Sequence, residues 1–318
     1  MSHVLVSGAN GFVGRALCRA LLAAGHTVTG LVRRAGQLES GVSEWVDASV
    51  DFSGIDTAWP ADLQVDCVVH LAARVHVMRE EAADPEAAFH ATNVDGALRL
   101  ARAAQHHGVR RFVFVSSVKA LAEADNGRPL REDDVPAPQD PYGRSKLAAE
   151  QALSNYGEAA GLDVVIVRPP LVYGPDVRAN FLRLMDGIWK RVPLPLGSID
   201  ARRSLVYVDN LADALMHCAL DPRAAHQCFH VADDETLTVA ELAQALARHL
   251  QKSGRLLPVP PGWLHLAGRL TGRTAQVDRL VGALQLDTTH IRTLLGWQAP
   301  FSTDEGLAQT ARWYRSTH

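Results

Sequence analysis

This chain contains little cysteine, no long apolar run and no large excess of one charge. The four cysteines among its 318 residues are dispersed, at Cys18, Cys67, Cys218 and Cys228, and they lack the spacing of metal ligands. This usage predicts small buried side chains in a reducing compartment. The histidines show no clustered ligand spacing, so no catalytic metal is expected.

No apolar run approaches the ~20 residues that cross a bilayer. The N-terminus enters a candidate core strand without a basic and apolar leader. A net charge of −3 indicates no general affinity for nucleic acid or for an anionic membrane. We therefore expect a cytoplasmic protein with no nucleic-acid or membrane partner.

Strand and helix patterns alternate through the first half of the chain. The candidate strands are His3–Ser7, Thr27–Val32, Glu44–Val46, Cys67–Leu71, Phe112–Ser116 and Val164–Arg168. The candidate helices are Arg15–Ala24, Pro85–His107, Tyr142–Ala160, Asp209–Leu220, Val239–Gln251, Thr288–Leu295 and Thr303–Trp313. The alternation predicts an α/β fold with a Rossmann-type, doubly wound parallel sheet over residues 1–170. A smaller, mostly helical C-terminal lobe is expected over 171–318, with an approximate boundary that strands can cross.

A glycine-rich turn, Ser-Gly-Ala-Asn-Gly-Phe-Val-Gly at residues 7–14, joins the first strand to the first helix. Gly8 allows the tight turn, Gly11 lets the backbone approach a pyrophosphate, and Gly14 permits close packing of helix on strand. The helix N-terminus then offers amide donors to phosphates. Because a second strand follows at βαβ distance, the turn predicts a dinucleotide site rather than a loop without a ligand.

Tyr142 and Lys146 lie four residues apart, at the start of a predicted helix. This spacing puts both side chains on one helix face, within reach of a common ligand. A phenol is a poor base because its reference pKa is ~10, and a neighbouring ammonium stabilises the phenolate. Beside a dinucleotide site, the pair predicts proton transfer next to a hydride carrier.

These motifs and several others follow one another in the order and spacing of a known family. They are the glycine turn, His70-Leu71-Ala72-Ala73, Asn93, Ser116-Ser117, Tyr142 with Lys146, Arg168-Pro169, Tyr173-Gly174-Pro175, and Arg203 ahead of Tyr207-Val208-Asp209. Over nearly its whole length the chain resembles the extended short-chain dehydrogenases/reductases, within the group of nucleotide-sugar epimerases, dehydratases and reductases. The resemblance implies that residues 1–170 bind NAD(P) and that residues 171–318 bind mainly the substrate.

The resemblance also implies which residues act. Tyr142 is the expected acid and base at a sugar oxygen, Lys146 holds the nicotinamide ribose and lowers the tyrosine pKa, and Ser117 hydrogen-bonds the same sugar oxygen. The implied cofactor contacts are Gly8, Asn10, Gly11, Phe12, Val13, Gly14, Arg33, Arg34, Asp47, Ala48, Leu71, Ala72, Ala73, Asn93, Tyr142, Lys146 and Pro169. Two alternatives stay open: Ser117 can simply terminate a strand, and Asp47 can cap a turn instead of contacting the adenine.

The implied substrate contacts are Ser117, Asn180, Phe181, Arg203 and Arg279. A guanidinium suits a phosphate because it forms bidentate hydrogen bonds. The alternative for Arg203 and Arg279 is a solvated surface position. His70 is expected to pack and hydrogen-bond rather than to transfer protons.

Two departures from the family pattern narrow the chemistry. Val118 and Lys119 stand where 4,6-dehydratases carry an Asp-Glu pair, so 4,6-dehydration is not expected. The Ser-Ser-Val-Lys segment is instead similar to a bacterial subgroup tied to surface-polysaccharide sugars, which includes 4-ketoreductases, and the role of Lys119 is open.

The second departure concerns the cofactor. NAD-selective relatives end the second strand with a carboxylate, whereas here Arg33 and Arg34 follow it. A cationic fork suits a 2′-phosphate, so NADP(H) is favoured over NAD(H) unless the arginines simply point to water.

The resulting hypothesis is an oxidoreductase acting at C4 of a nucleotide-activated sugar, of the UDP-N-acetylhexosamine type. It is either a 4-ketoreductase or a 4-epimerase. The alternatives are a reductase of apolar ketones such as steroids or flavonoids, which Arg203 and Asn180 disfavour, and a non-catalytic NADP-sensing regulator, which has no need of Ser117, Tyr142 and Lys146. A homodimer is implied by the resemblance, through the helices predicted at Pro85–His107 and Tyr142–Ala160.

Overall fold

The computed structural model describes residues 1–36, 38–75, 84–272 and 274–318. Its strands are β1 His3–Ser7, β2 Thr27–Val32, β3 Ser43–Val46, β4 Cys67–His70, β5 Arg111–Val115, β6 Asp163–Arg168, β7 Leu171–Tyr173, β8 Arg202–Arg203, β9 Leu205–Tyr207, β10 Cys228–His230 and β11 Leu237–Thr238. Its α-helices are α1 Phe12–Ala23, α2 Pro85–His90, α3 Gly96–His106, α4 Pro141–Ala160, α5 Ala179–Trp189, α6 Val208–Leu220, α7 Val239–His249, α8 Pro261–Thr271, α9 Thr274–Val281, α10 Thr289–Leu295 and α11 Thr303–Thr317.

Seven strands form one parallel sheet in the order β10-β6-β5-β4-β1-β2-β3. The direction of the strand order reverses between β1 and β4, and doubly wound sheets bind their ligands at the carboxyl ends of the strands flanking such a point. This topology confirms the predicted Rossmann-type fold. It also brings the glycine turn after β1 beside the segment that follows β4.

Helices cover both faces of the sheet, which is why its inner strands are apolar along their length. Successive residues of a strand point to opposite faces. Val4 and Val6 accordingly join the buried cluster that contains α1 and α6, whereas Leu5 joins the cluster that contains α3 and α4. The core therefore lies in two layers, one on each side of the sheet.

Strand β10 comes from residues 228–230 and pairs with β6. The large sheet thus takes one strand from beyond residue 170, the kind of return that the approximate domain boundary allowed. The rest of the later half contributes two short two-stranded sheets, β11-β8 and β7-β9, and the helices from α5 onward. The predicted division at residue 170 stays a prediction.

Three helices, α5, α8 and α9, were not predicted from the sequence. The glycines and prolines of residues 174–197 obscured α5, although Phe181, Met185 and Ile188 recur at helical spacing and are buried. The predicted helix Pro85–His107 begins and ends close to expectation, but a π-helical turn at Ala91–Asp95 separates α2 from α3. All four cysteines are free, three buried and Cys228 half-buried. Among the described residues no helix is both long and apolar enough to cross a membrane.

Candidate active site

The glycine turn lies at the carboxyl end of β1. Gly8 has φ of +72°, which L side chains rarely adopt, and its carbonyl accepts a hydrogen bond from Gly11 N at 2.9 Å. A Cβ on Gly14 would lie 2.2 Å from that same carbonyl oxygen. The turn therefore requires glycine at both ends, as the dinucleotide motif predicts.

The N-terminus of α1 provides the chemistry that a pyrophosphate needs. Gly11 is the N-cap residue, so no side chain caps the first N–H groups of the helix. These amides and the positive end of the helix dipole are suited to phosphate oxygens. The residues from Gly8 to Gly14 thus fit a dinucleotide, and its contacts with Asn10, Phe12 and Val13 stay predictions.

The segment after β4 is anchored to the glycine turn through Ser7. The Ser7 hydroxyl accepts from the N–H groups of Leu71 and Ala72 at 3.2 and 3.3 Å and hydrogen-bonds His70 Nδ1 at 2.7 Å. A Cβ on Gly8 would lie 3.0 Å from Ala72 N, so the two segments touch. Burial lowers the pKa of His70 to about 3, which keeps the ring neutral and suits the predicted packing role.

Asn93 is hydrogen-bonded to the same segment after β4. It lies in the π-helical turn and is 1% exposed. Its amide oxygen accepts from Arg74 N at 2.8 Å, and its amide nitrogen donates to the Arg74 carbonyl at 3.0 Å and to Ser145 Oγ at 3.0 Å. These contacts make Asn93 a positioning residue that joins the segment after β4 to α4, and its direct contact with a cofactor stays a prediction.

Lys146 is buried at the carboxyl end of β5. Its Nζ donates to the Val115 carbonyl at 2.8 Å and lies 4.4 Å from the centre of the Phe114 ring. Burial lowers the Lys146 pKa to about 7, and the carboxylate of Glu150 opposes that shift. The pKa of Lys146 therefore lies near neutral pH, and its side chain is held on the side of α4 that faces the sheet.

Tyr142 occupies the first turn of α4, one helical turn before Lys146. Burial and the Asp140 carboxylate raise its pKa to about 12, and the nearby Ser117 hydroxyl opposes the rise. The sequence led us to expect a lowered pKa, and the protein alone gives the opposite direction because desolvation of the phenolate outweighs its neighbours. A Cβ on Gly143 would lie 2.4 Å from the Lys119 carbonyl oxygen, so the first turn of α4 lies against the turn that begins at Ser117.

The serine pair after β5 divides into two roles. Ser117 lies half-buried before the short 3₁₀ turn Val118–Ala120, and its Oγ accepts from Lys119 N at 3.2 Å. Ser116 is buried, and its Oγ donates to Glu150 at 2.5 Å. The carbonyl of Pro169, predicted as a cofactor contact, accepts from Val118 N at 3.0 Å and fixes this turn to the end of β6.

Four charged side chains surround the N-terminus of α4. Lys119 Nζ lies 2.6 Å from an Asp140 oxygen and 3.0 Å from a Glu123 oxygen. Arg279 Nε lies 3.0 Å from Glu123, and its Nη2 lies 3.5 Å from Asp140. Burial alone would raise the pKa of Asp140, but hydrogen bonds from Lys119 and from Gly143 N lower it. We call Lys119, Glu123, Asp140 and Arg279 the charge quartet.

The charge quartet gives Lys119 a structural role, which the sequence left open, and it shows which side chains surround Arg279. Lys119 holds the carboxylate that caps α4, since Asp140 also accepts from Gly143 N at 2.7 Å. Arg279, predicted as a phosphate contact, is shared between two carboxylates in this structure. Its role toward the substrate stays a prediction.

Arg203 lies close to Arg279 in the C-terminal lobe. Its Nη1 donates to the carbonyls of Arg279 and Gly282, the latter at 2.9 Å, and burial lowers its pKa. Asn180 is exposed in the first turn of α5. The Phe181 side chain is buried and stacks on Tyr173 at a ring distance of 5.4 Å, which leaves its backbone for the predicted nucleotide contact.

The residues expected at the adenosine lie at the ends of β2 and β3. Arg33 and Arg34 are exposed, and neither forms an ion pair with a residue that the structure describes. Asp47 accepts from Ser49 N at 3.0 Å and from Ser49 Oγ at 2.8 Å, which is the turn-capping alternative, and Ala48 is exposed. Capping leaves the adenine contact of Asp47 as a prediction.

Residues 4–232 match the NAD dependent epimerase/dehydratase family. The chain belongs to this family. The assignment agrees with the extended short-chain dehydrogenase/reductase motifs and makes the protein an enzyme of a NAD-dependent, sugar-modifying group.

Relatives match along the whole chain. A UDP-glucose 4-epimerase of Vibrio cholerae is 40% identical over 315 residues, which cover 97% of this chain and 94% of the relative. A UDP-glucose 4-epimerase of Mycolicibacterium smegmatis is 31% identical over 332 residues, which cover 99% of each. The solved structure of the Thermus thermophilus UDP-glucose 4-epimerase in complex with NAD superposes with a TM-score of 0.79, at 25% identity, covering 99% of this chain and 100% of that one.

Several residues of the site were missed by reasoning from sequence. Glu150 accepts from Ser116 and forms a buried ion pair with Arg168 at 2.6 Å. It falls four residues after Lys146, so the helical spacing could have placed it on the same face. Asp140 directly precedes Pro141, which is a helix-start signal. Glu123 carries no local signal, because only the tertiary structure brings it to Arg279.

The described residues also contain one cluster with metal-ligand atoms within 4.8 Å of one another, namely Asp56, His106 and His107 at the end of α3. His106 Nδ1 lies 2.8 Å from Asp56, and the His107 ring stacks on Trp59. These contacts are sufficient to account for the cluster, which is largely exposed.

Proposed function

We propose that this enzyme is a NAD-dependent 4-epimerase of a UDP-activated hexose. The observation that carries the proposal is that the first turn of α4, with Tyr142 one helical turn from Lys146, lies against the turn that begins at Ser117, at the sheet edge that also carries the glycine turn. The 40% identity to the Vibrio cholerae UDP-glucose 4-epimerase supports the same reaction and substrate class.

Each residue has a distinct task in this reaction. Bound NAD⁺ supplies a hydride acceptor and donor together with a positive charge. Tyr142 takes the proton of the C4 hydroxyl as that carbon is oxidised and returns it when the carbon is reduced from the opposite face. Ser117 holds the same oxygen by a hydrogen bond. Lys146 binds the ribose and, with the nicotinamide charge, favours the phenolate that burial of Tyr142 disfavours.

Arg203 is the proposed clamp on the UDP diphosphate. Its partners among the described residues are backbone carbonyls on Nη1, which leave Nε and Nη2 to pair with phosphate oxygens. Asn180 and the backbone of Phe181 lie at the N-terminus of α5, whose uncapped amides suit an anionic nucleotide. An apolar ketone would gain little from these groups.

The test is turnover without added cofactor. Purified protein is incubated with UDP-glucose and, in parallel, with UDP-N-acetylglucosamine, and the products are separated by anion-exchange chromatography. We expect the C4 epimer of at least one substrate and about one NAD⁺ released per denatured chain. Absence of both epimers from a protein that consumes NADPH with a 4-keto sugar would contradict the proposal.

A 4-ketoreductase that uses NADPH is the second candidate, and Arg33 and Arg34 favour it. Both are exposed at the end of β2, where a 2′-phosphate would pair with a guanidinium. A reductase draws on an exchangeable reduced cofactor, whereas an epimerase keeps its cofactor through the cycle.

Arg33→Ala decides between these roles for the arginine. If Arg33 binds the 2′-phosphate, the variant should lose about one to two decades of NADPH affinity, because a charge-assisted hydrogen bond contributes ~1.5–3 kcal/mol, and it should keep its NADH affinity. Titrations of both cofactors measure this, with Arg110→Ala as an exposed arginine control at the start of β5. Unchanged NADPH affinity in Arg33→Ala would remove the support for a reductase.

The homodimer and the cytoplasmic location also stay proposals. The dimer would use α3 and α4, and light scattering of the purified protein measures its mass directly.

A further inference from the structure

An apolar stripe on α8 faces outward from the C-terminal lobe. Trp263, Leu266 and Leu270 recur at spacings of three and four residues, which places them on one side of the helix. Trp263 is 67% exposed and Leu270 is 80% exposed. The opposite side of α8 packs inward, since Gly268 is buried against Val277 of α9.

Two further exposed apolar residues lie on the segment before α8 and on the segment hydrogen-bonded to it. Leu257 precedes α8 through a proline-rich link, and Val192 lies on the neighbouring segment after α5. The two segments are hydrogen-bonded, with Leu194 N donating to the Arg255 carbonyl and Leu257 N to the Leu194 carbonyl, each at 2.8 Å. We call Val192, Leu257, Trp263, Leu266 and Leu270 the α8 face.

Cations outnumber acids around the α8 face along these segments. Residues 187–199 and 242–277 contain seven Lys or Arg and no Asp or Glu, in a chain whose net charge is −3. Lys190, Arg191, Arg255 and Arg269 are exposed, and none forms an ion pair within the described part of the chain. The acids that flank these two ranges are Asp186, Asp200, Glu241 and Asp278, and Asp278 lies 3.2 Å from His265 of α8.

Apolar side chains with a tryptophan among them, bordered by unpaired cations, are the composition of helices that lie in a membrane interface. A protein partner would have to match both the apolar stripe and a broad cationic border, whereas an anionic bilayer matches both with one surface. We propose that the α8 face docks on the surface of an anionic lipid bilayer. The net charge of the whole chain predicted no membrane partner, but that sum does not show a local excess of cations. The proposal is independent of the catalytic reaction.

Vesicle flotation with the purified full chain tests the proposal. We expect the protein to float with vesicles of phosphatidylglycerol and phosphatidylcholine, to float less as salt is raised, and to stay behind with phosphatidylcholine alone. Leu270→Glu should lower the partition coefficient at least about tenfold, because the bilayer would bury the leucine side chain and would not accept the carboxylate. Arg269→Ala should lower it about fivefold, the equivalent of ~1 kcal/mol for one cation.

Val135→Glu is the matched control, because Val135 is 88% exposed and lies outside the α8 face. It should float like the wild type, and all variants should keep wild-type thermal unfolding. Wild-type protein that does not float with the anionic vesicles at low salt would overturn the proposal, as would equal losses for Leu270→Glu and Val135→Glu. A smaller mass of Leu270→Glu in light scattering, without flotation of the wild type, would show an interface between two copies of the chain instead.

Discussion

Tyr142 and Lys146 share one face of α4, and burial moves their pKa values in opposite directions. The phenol rises to about 12 and the ammonium falls to about 7, because a desolvated site disfavours the charged form of each. At neutral pH the protein alone therefore holds a neutral tyrosine and a partly protonated lysine. In the proposed reaction the positive charge of bound NAD⁺ would favour the phenolate, so we expect proton transfer to be coupled to cofactor binding.

Tyr142→Phe should remove most of the turnover and leave NAD binding intact. The phenol is the proposed acid and base, and such groups typically contribute a rate factor of ~10² to 10⁴. Steady-state rates and cofactor titration measure the two effects separately. Tyr156→Phe, a change of the same kind further along α4, is the control and should keep its rate. A Tyr142→Phe enzyme with more than half of the wild-type rate would exclude the assignment.

Lys146→Met should change how stability depends on pH. The folded pKa of about 7 lies below the ordinary value of 10.5, so between these pH values the unfolded chain binds more protons than the folded protein. The cost of burying the lysine is fully present below pH 7 and disappears as pH rises toward 10.5. Wild type should thus gain up to about 1.4 kcal/mol in unfolding free energy per pH unit from this group, and the variant should lack that gain. Urea unfolding at several pH values from 7 to 10 measures this. An equal change of unfolding free energy with pH in the two proteins would contradict the prediction.

At the scale of elements, the N-terminus of α4 is pressed against the turn that carries Ser117. A Cβ on Gly143 would lie 2.4 Å from the Lys119 carbonyl oxygen and 3.1 Å from its carbon. The charge quartet holds the same two elements together through Lys119 and Asp140. The distance between Ser117 and Tyr142 is therefore set by a contact that admits only glycine.

Gly143→Ala should separate these two elements and slow the reaction. Backbone atoms form the contact and cannot rotate away, so we expect a stability loss of ~1–3 kcal/mol and a lower kcat with little change in cofactor affinity. Gly262→Ala in α8 is the control, because its Cβ would meet nothing within 4 Å. A Gly143→Ala enzyme with wild-type kcat would show that the elements can move apart without cost.

At the scale of the whole molecule, one buried carboxylate joins three elements of the later half of the chain. Asp233 is 4% exposed and accepts from Tyr173 Oη at 2.7 Å, from Tyr207 N at 2.9 Å and from Asn210 Nδ2 at 2.8 Å. Tyr173 and Tyr207 end the paired strands β7 and β9, and Asn210 lies in the first turn of α6. The motifs around Tyr173 and Tyr207 thus share a structural partner that sequence reasoning did not identify.

Asp233→Ala should destabilise the folded protein by at least about 3 kcal/mol, because it removes the shared acceptor of three buried hydrogen bonds. The midpoint and slope of urea unfolding measure the loss. The neighbouring Asp234→Ala removes an exposed ion pair with Arg292 and should cost less than about 1 kcal/mol. Equal losses in the two variants would mean that the buried network contributes no more than a surface pair.

Much of the fold and of the candidate site could be predicted because local patterns encode them. The apolar strands and their helical connections predicted the parallel sheet, and the glycines at 8, 11 and 14 predicted the turn that the backbone adopts. The helical spacing of Tyr142 and Lys146 placed them on one face. These features depend on residues within about one helical turn or one strand of each other, so they are legible in the sequence.

By itself, the sequence determined the fold class, the glycine turn and the placement of Tyr142 and Lys146 on one face of a helix. The tertiary structure decided which charges meet. Lys119 and Arg279 come from distant parts of the chain and share Asp140 and Glu123, while the direction of the Tyr142 pKa shift depends on burial by the whole site. The same holds for α8, whose stripe became an exposed face only when its other side packed on α9. Desolvation and contact between distant segments are properties of the packed molecule, and no local pattern carries them.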